Sequence, residues 1–145
     1  MVQLRDKAIV LKQLGIIHSP YKGRRDAPRQ GRYSDTISEI EIFPDFKEGL
    51  DNIEHCTYLI VLWWADRAER DLLKVIPPNE TEERGVFSTR SPARPNPIGF
   101  SVVKLKDRKE NRLKVQWLDA IDQTPLIDIK SYSPGIDIVE DIEET

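Results

Sequence analysis

The sequence predicts a mainly β fold: a single-domain antiparallel or mixed barrel with a few short helices. Three observations carry this. Apolar segments of strand length recur along the 145 residues without regular β-α-β alternation. The stretch Gly85–Ser101, GVFSTRSPARPNPIGFS, places Pro92, Pro95 and Pro97 within six residues, which excludes helix and central strand there. The chain is long enough for one buried core, and 39% hydrophobic with 32% charged residues is a globular balance.

Each element follows from pattern and punctuation. Ala8–Ile17 reads as a strand closed by Ser19 and Pro20, and Tyr21–Asp35 as a long polar loop. Thr36–Phe43 alternates, with Ile37, Ile40 and Ile42 set among Ser38, Glu39 and Glu41, and Pro44 ends it. Phe46–Ile53 suits one or two helical turns. Thr57–Trp64 is continuously apolar, as in a strand buried on both faces. Asp66–Val75 reads as a short helix capped by Asp66 and stopped by Pro77-Pro78. Phe100–Leu105 and Leu113–Leu118 read as strands around a charged turn, Lys106–Arg112, and Leu126–Ile129 as another. The domain is expected over residues 1–135, with an acidic, partly disordered tail over 136–145.

The proline-rich stretch is framed by Val86, Phe87, Ile98 and Phe100, so an ordered loop is expected rather than a linker. It carries Ser88, Thr89, Arg90, Ser91, Arg94 and Asn96, and a stiff loop costs little entropy to order. A rigid turn without a ligand is the plain alternative.

Composition excludes several classes. No apolar run approaches a membrane span, the N-terminus lacks a signal-peptide pattern, and Cys56 is the single cysteine. A disulfide framework and a Cys-based zinc site within one chain are excluded, Cys56 suits a small core residue, and the cytoplasm is the expected compartment. The net charge is −3, yet Lys22–Arg32 carries Lys22, Arg24, Arg25, Arg29 and Arg32 against Asp26 alone. That run is either a solvated loop or an anion site. His18 and His55 are far apart, no HxH, HExxH, CxxC or GxSxG spacing occurs, and no metal site is expected. No two glycines lie closer than eight residues, which removes the P-loop and the Rossmann dinucleotide turn.

Four polar clusters remain. They are His18–Lys22, Pro28–Gly31, the proline-rich loop, and Trp117–Pro125 with Asp119, Asp122 and Thr124. Acid, amide and basic groups on rigid loops suit a cofactor with ribose, carboxylate and amine. Trp63 and Trp64 point to opposite faces of their strand, so at least one of them is packing.

In this order the clusters resemble the TrmO family of small S-adenosylmethionine-dependent tRNA methyltransferases, from about Leu14 to Pro134. The matching pieces are GIIHSPYK, PRQG, YLIVLWWAD, GVFSTRSPARPNPIGFS, LDAIDQTP and IDIKSY. The resemblance implies a non-Rossmann β-barrel methyltransferase, a homodimer with S-adenosylmethionine near the subunit interface, and methylation of the N6 nitrogen of threonylcarbamoyladenosine beside the tRNA anticodon. It implies cofactor contacts from Pro28, Arg29 and Gln30, from Arg90, from Phe100, and from Leu118 and Asp119. Asp66 and Arg67 occupy a position that is His-Gln in some members, a departure from the pattern. Some members carry an added C-terminal domain where this chain has its acidic tail.

Methyl transfer to a ureido nitrogen needs help in removing its proton. Tyr21, His18, Asp66 and Asp119 are the candidate bases. Arg25, Arg29 or Arg94 could hold the substrate's carboxylate, Arg24 and Arg25 its phosphates, and Asn96 completes the substrate side of the loop. Two other readings stay open: a non-catalytic S-adenosylmethionine- or RNA-binding barrel, and a methyltransferase for another adenine-like substrate.

Overall fold

The structure is a computed structural model that describes residues 7–23 and 35–140. Six strands form a closed barrel: β1 (Gly15–His18), β2 (Ile37–Ile42), β3 (Tyr58–Trp64), β6 (Ile98–Lys109), β7 (Arg112–Gln116) and β8 (Thr124–Ser131). Their order is β1-β2-β7-β6-β3-β8, and every pairing is antiparallel. Closure leaves no barrel strand with an open edge. Two short strands, β4 (Lys74–Val75) and β5 (Arg84–Gly85), pair as a separate ribbon.

The core follows the two-residue period of the strands. Ile17, Ile40, Leu59, Val61, Val103, Leu113, Val115 and Leu126 all turn inward and are buried. In β2 that period takes Ser38 inward with Ile40 and Ile42 and leaves Ile37 43% exposed. Ser38 Oγ is buried without a hydrogen-bond partner among the described residues.

Several elements differ from expectation. Residues 8–14 form no strand. β1 pairs only from Gly15, opposite Ile42, and Pro44 prevents β2 from continuing. β3 is buried on one face only: Leu59 and Val61 point inward, while Tyr58, Ile60 and Leu62 are half-buried outside. An antiparallel barrel has one interior, whereas burial on both faces needs a covering layer. The expected helix at Asp66–Val75 is absent, and Lys74–Val75 is strand instead. The proline-rich loop captures this segment's backbone: Ala65 N–H donates to Pro97 O (2.8 Å) and Arg94 N–H to Glu69 O (3.1 Å). A ten-residue helix without a packed apolar stripe does not withstand that competition. β6 runs on to Lys109 through a register shift between Leu105 and Asp107, so most of the expected charged turn is ladder. The reversal is tight and uses Glu110 at φ 58°. Phe46–Ile53 becomes two 3-10 helices, Pro44–Leu50 and Ile53–His55, parted by left-handed Asn52. A short helix, α1 (Pro134–Asp137), follows β8; the end of the acidic tail, 141–145, lies outside the described residues.

Alternation of direction decides what meets what. β1, β3 and β7 end where β2, β6 and β8 begin. The connections 19–36, 65–97 and 117–123 therefore all emerge at one end, the mouth. The connection 43–57, the β6–β7 turn and the exit of β8 gather at the opposite end, the base.

Candidate functional site

Of the four polar clusters, His18–Lys22, the proline-rich loop and Trp117–Pro125 are gathered at the mouth, where β1, β3 and β7 end; Pro28–Gly31 lies outside the described residues. The loop 117–123 is held by two left-handed residues, Trp117 at φ 77° and Gln123 at φ 71°. That conformation is costly for tryptophan and persists only where surroundings impose it. Here the Trp117 ring stacks on Tyr58 at 5.7 Å, and Tyr132 meets Tyr58 edge-on at 6.2 Å. With that ring drawn outside, Leu118 and Ala120 plug the mouth, each 2% exposed.

Between them stands Asp119, half-buried, accepting a hydrogen bond from Ser101 Oγ at 3.0 Å. Burial pushes its carboxyl above the usual aspartate range, against the opposing pull of the Ser101 hydroxyl, its own backbone and the Arg90 charge. Arg90 lies 4.9 Å above the Phe100 ring and donates from Nη2 to Phe100 O at 3.4 Å. Arg90, Phe100, Leu118 and Asp119, distant in sequence, thus converge, and Ser101 joins them. Arginine suits a carboxylate, and an aspartate beside backbone amides suits amine and hydroxyl groups, so this donor set fits an amino-acid-bearing nucleoside cofactor.

A second group lies beside it. Gln123 Nε2 donates to His18 Nδ1 at 3.0 Å, which leaves the proton on Nε2, donated to Glu41 Oε1 at 2.8 Å. Both imidazole nitrogens are occupied, so His18 offers no open basic nitrogen in this arrangement. Glu41 is held below the usual glutamate range by that bond, against burial, with the Arg112 charge assisting. Asp122 accepts from Ser19 N–H at 2.9 Å and Lys22 Nζ at 3.0 Å. Burial raises its carboxyl, but Lys22, Ser19 and Gln123 together leave it lowered. A shallow groove of about 720 Å³ runs over His18, Ser19, Lys22, Ser38 and Asp122.

Other expected site residues fall as follows. Arg67 Nη1 donates to Lys22 O at 3.2 Å, which ties 65–70 to the first cluster; Asp66 is exposed nearby. Tyr21 is buried, and its carbonyl accepts Asp122 N–H at 2.7 Å. Arg94 turns into its own loop, where Nη2 donates to Val86 O, to Thr89 O at 2.7 Å and to Thr89 Oγ1 at 3.3 Å. Asn96 is exposed, with its carbonyl accepting Ile98 N–H. Pro28, Arg29, Gln30, Arg24 and Arg25 lie outside the described residues. Sequence reasoning passed over Ser101, Glu41 and Gln123. Only Ser101 carried a signal, as the last residue of the proline-rich piece.

Comparison with known proteins agrees with this architecture. A family profile described as the tRNA-methyltransferase O N-terminal domain matches residues 16–138. An S-adenosyl-L-methionine-binding protein of Archaeoglobus fulgidus is 58% identical over 135 residues, 93% of this chain and 97% of that one. A putative S-adenosylmethionine-dependent methyltransferase, RcsF of Pseudomonas aeruginosa, is 37% identical over 90% of this chain and 58% of its own. The crystal structure of TrmO from P. aeruginosa superposes with a TM-score of 0.80 at 30% identity, over 99% of this chain. The chain spans 63% of that protein's length. A match of this extent in profile, sequence and structure leaves one assignment: the chain belongs to the tRNA-methyltransferase O family, TrmO.

Proposed function

We propose that this chain is an S-adenosylmethionine-dependent methyltransferase acting on tRNA, at the N6 nitrogen of threonylcarbamoyladenosine beside the anticodon. The observation that carries the reading is the convergence of Arg90, Phe100, Ser101 and Asp119 at the mouth. The cofactor supplies a methyl group on a sulfonium sulfur. Arg90 holds a carboxylate there, and the Leu118–Asp119 segment takes the polar nucleoside groups. The mouth loops fix both reactants, which lowers the barrier through alignment and water exclusion. Of Tyr21, His18, Asp66 and Asp119, the geometry favours Asp119 as proton acceptor. Its carboxyl is half-buried, made more basic by burial, and set among the cofactor residues. With the cofactor held by Arg90 and the Leu118–Asp119 segment and supplying the methyl group, the Asp119 carboxylate would accept the proton that the N6 nitrogen gives up.

Arg24 and Arg25, with Lys22, are proposed to grip tRNA phosphates. A homodimer is the proposed assembly, supported by the outward Ile60 and Leu62 of β3 and the 43% exposed Phe100. The site of action is the cytoplasm, where such tRNA resides. Among the described residues no helix is long and apolar enough to cross a membrane.

Mass spectrometry of tRNA nucleosides, with and without this protein, tests the activity. The expected result is a gain of one methyl on threonylcarbamoyladenosine, and an unchanged nucleoside profile overturns it. The names of the A. fulgidus relatives favour a second reading, a binding protein without turnover. In that case calorimetry detects the cofactor while no S-adenosylhomocysteine accumulates in the presence of tRNA.

A further inference from the structure

The base of the barrel holds a cavity of about 580 Å³. Its lining is apolar at Phe46, Leu50, Ile53, Leu59 and Ile129, and includes the half-buried thiol of Cys56. Asp45, Glu48, Asp51 and Asp128 stand around it against Lys130 alone. At the opposite end Phe87 is 88% exposed, although its neighbour Val86 is 1% exposed. The ring is not on a loose loop. Ser88 Oγ donates to Gly85 O (2.8 Å), Thr89 Oγ1 to Val86 O (2.9 Å), Arg84 Nη2 to Ser88 O (2.7 Å) and Arg94 Nη2 to Thr89 O. Four bonds therefore fix the backbone on both sides of one solvent-exposed phenyl group.

We propose that the Phe87 ring of one copy docks in the base cavity of a second copy, reciprocally, with the two barrels side by side and antiparallel. This rests on the homodimer reading above and specifies its contact. Three features select a second copy as the occupant. The first is charge. Lys74, paired with Gly85, and Arg90 flank Phe87, Arg84 being ion-paired with Glu80 at 3.0 Å, and the cavity presents four carboxylates. The second is continuity. The register sets Phe100 beside Leu62 and Leu62 beside Asp128, then Val102 beside Ile60 and Ile60 beside Lys130. An outward apolar band thus joins Phe100, on which Arg90 lies, to the cavity rim at Asp128 and Lys130. The third is symmetry. A two-fold interface needs complementary patches at opposite ends of one face, so that both contacts form at once and the assembly closes. A rigid aromatic knob in an apolar pocket is also the usual energetic centre of such an interface.

The test uses the full chain and its single native cysteine. Phe87→Cys places a thiol at the knob, and Cys56 lies in the cavity wall at the other end of the same barrel, beyond reach within one chain. Mild oxidation is expected to give a covalent dimer whose peptide map joins the introduced thiol to Cys56, and Cys56→Ser in that background is expected to abolish it. Linkage between two introduced thiols overturns the docking, as does failure to cross-link while both thiols still react with maleimide. Phe87→Ala is expected to weaken the dimer about thirtyfold or more by sedimentation equilibrium, the loss of a central aromatic anchor. An unchanged dimer with weakened tRNA binding assigns Phe87 to base stacking and overturns the proposal. A native chain that sediments as a monomer overturns the homodimer reading itself. A dimer whose cross-link maps elsewhere overturns only the docking.

Discussion

At the mouth of the barrel, Asp119, Arg90, His18 and Asp122 are engaged by bonds that each cross from one connection or strand to another, His18 reaching down to Glu41 within β2. At the base, Leu50 and Ile53 bury aliphatic side chains, and Arg108 bonds Leu50 O at 3.0 Å and Glu54 Oε1 at 3.1 Å. Both ends close the same six strands. The base does so with two short 3-10 helices and a tight reversal, whereas the mouth connections, of which 65–97 has 33 residues, bond to one another through polar side chains. Surface connections can carry polar groups that contribute nothing to closure, and the candidate chemistry lies on those at the mouth.

The sharpest break of this comparison sets one glycine against another. A Cβ on Gly15 would lie 2.0 Å from the backbone oxygen of Glu41, whereas one on Gly99 would lie 2.0 Å from the Trp63 ring. Gly15→Ala must part β1 from β2. It is expected to cost about 3 kcal/mol or more in urea unfolding, at the upper end for overpacking. Gly99→Ala displaces a side chain and is expected to cost about 1–3 kcal/mol. Because it shifts β6 beside Ser101, it is also expected to weaken cofactor binding. Equal losses, with cofactor affinity intact in both, would erase the distinction.

A second pair exchanges the readouts. Arg90→Ala and Asp119→Ala are each expected to weaken S-adenosylmethionine binding by about 1–3 kcal/mol in calorimetry, the loss of a charge-assisted bond. Arg108→Ala at the base is expected to lower stability and leave that affinity unchanged. If Arg90→Ala and Asp119→Ala both bind as the parent does, the mouth is not the cofactor site.

The third contrast is in pH. Burial raises the carboxyl of Asp119 in the folded state, so the folded protein holds that proton more tightly than the unfolded chain. Stability from this group is then present below the unfolded value and lost as pH rises through the folded one. Glu41, Glu54 and Asp122 are lowered and act in the opposite sense; their stabilisation is present above the unfolded carboxylate range and lost as pH falls. Asp119→Asn is therefore expected to raise the melting temperature at pH 7 and to have little effect at pH 3. A gain that persists at pH 3 would mean that charge is not its cause.

The smallest expected effect concerns the basic run. Changing Arg24 and Arg25 together to Ala is expected to lower tRNA affinity and flatten its salt dependence, with cofactor binding unaltered. Methylation at the parental rate under subsaturating tRNA would make the run a solvated loop.

The sequence by itself determined the barrel and where its polar clusters fall. Two-residue alternation in Thr36–Phe43, an apolar run at Thr57–Trp64 and proline punctuation are local signals, and local sterics fix them. Where a distant partner competes for the backbone, those signals failed. Asp66–Val75 has helix-like punctuation, but Arg94 N–H takes the Glu69 carbonyl and Pro97 O holds Ala65 just ahead of the segment, and nothing nearby in sequence announces that. Residues 8–14 are apolar enough for a strand, but the ladder stops at Gly15, with Leu14 alone reaching Leu126 O and Phe43 N–H before Pro44 turns the neighbouring chain away. The same limit governs the site. Arg90, Phe100 and Asp119 were identifiable as chemistry-bearing residues through the family resemblance. That Ser101 reaches Asp119, that Gln123 and Glu41 fix the His18 tautomer, and that Arg94 turns inward came only from tertiary structure. A strand's period is written in consecutive residues, whereas a contact across a closed barrel depends on the register of strands as far apart in sequence as Gly15 and Leu126.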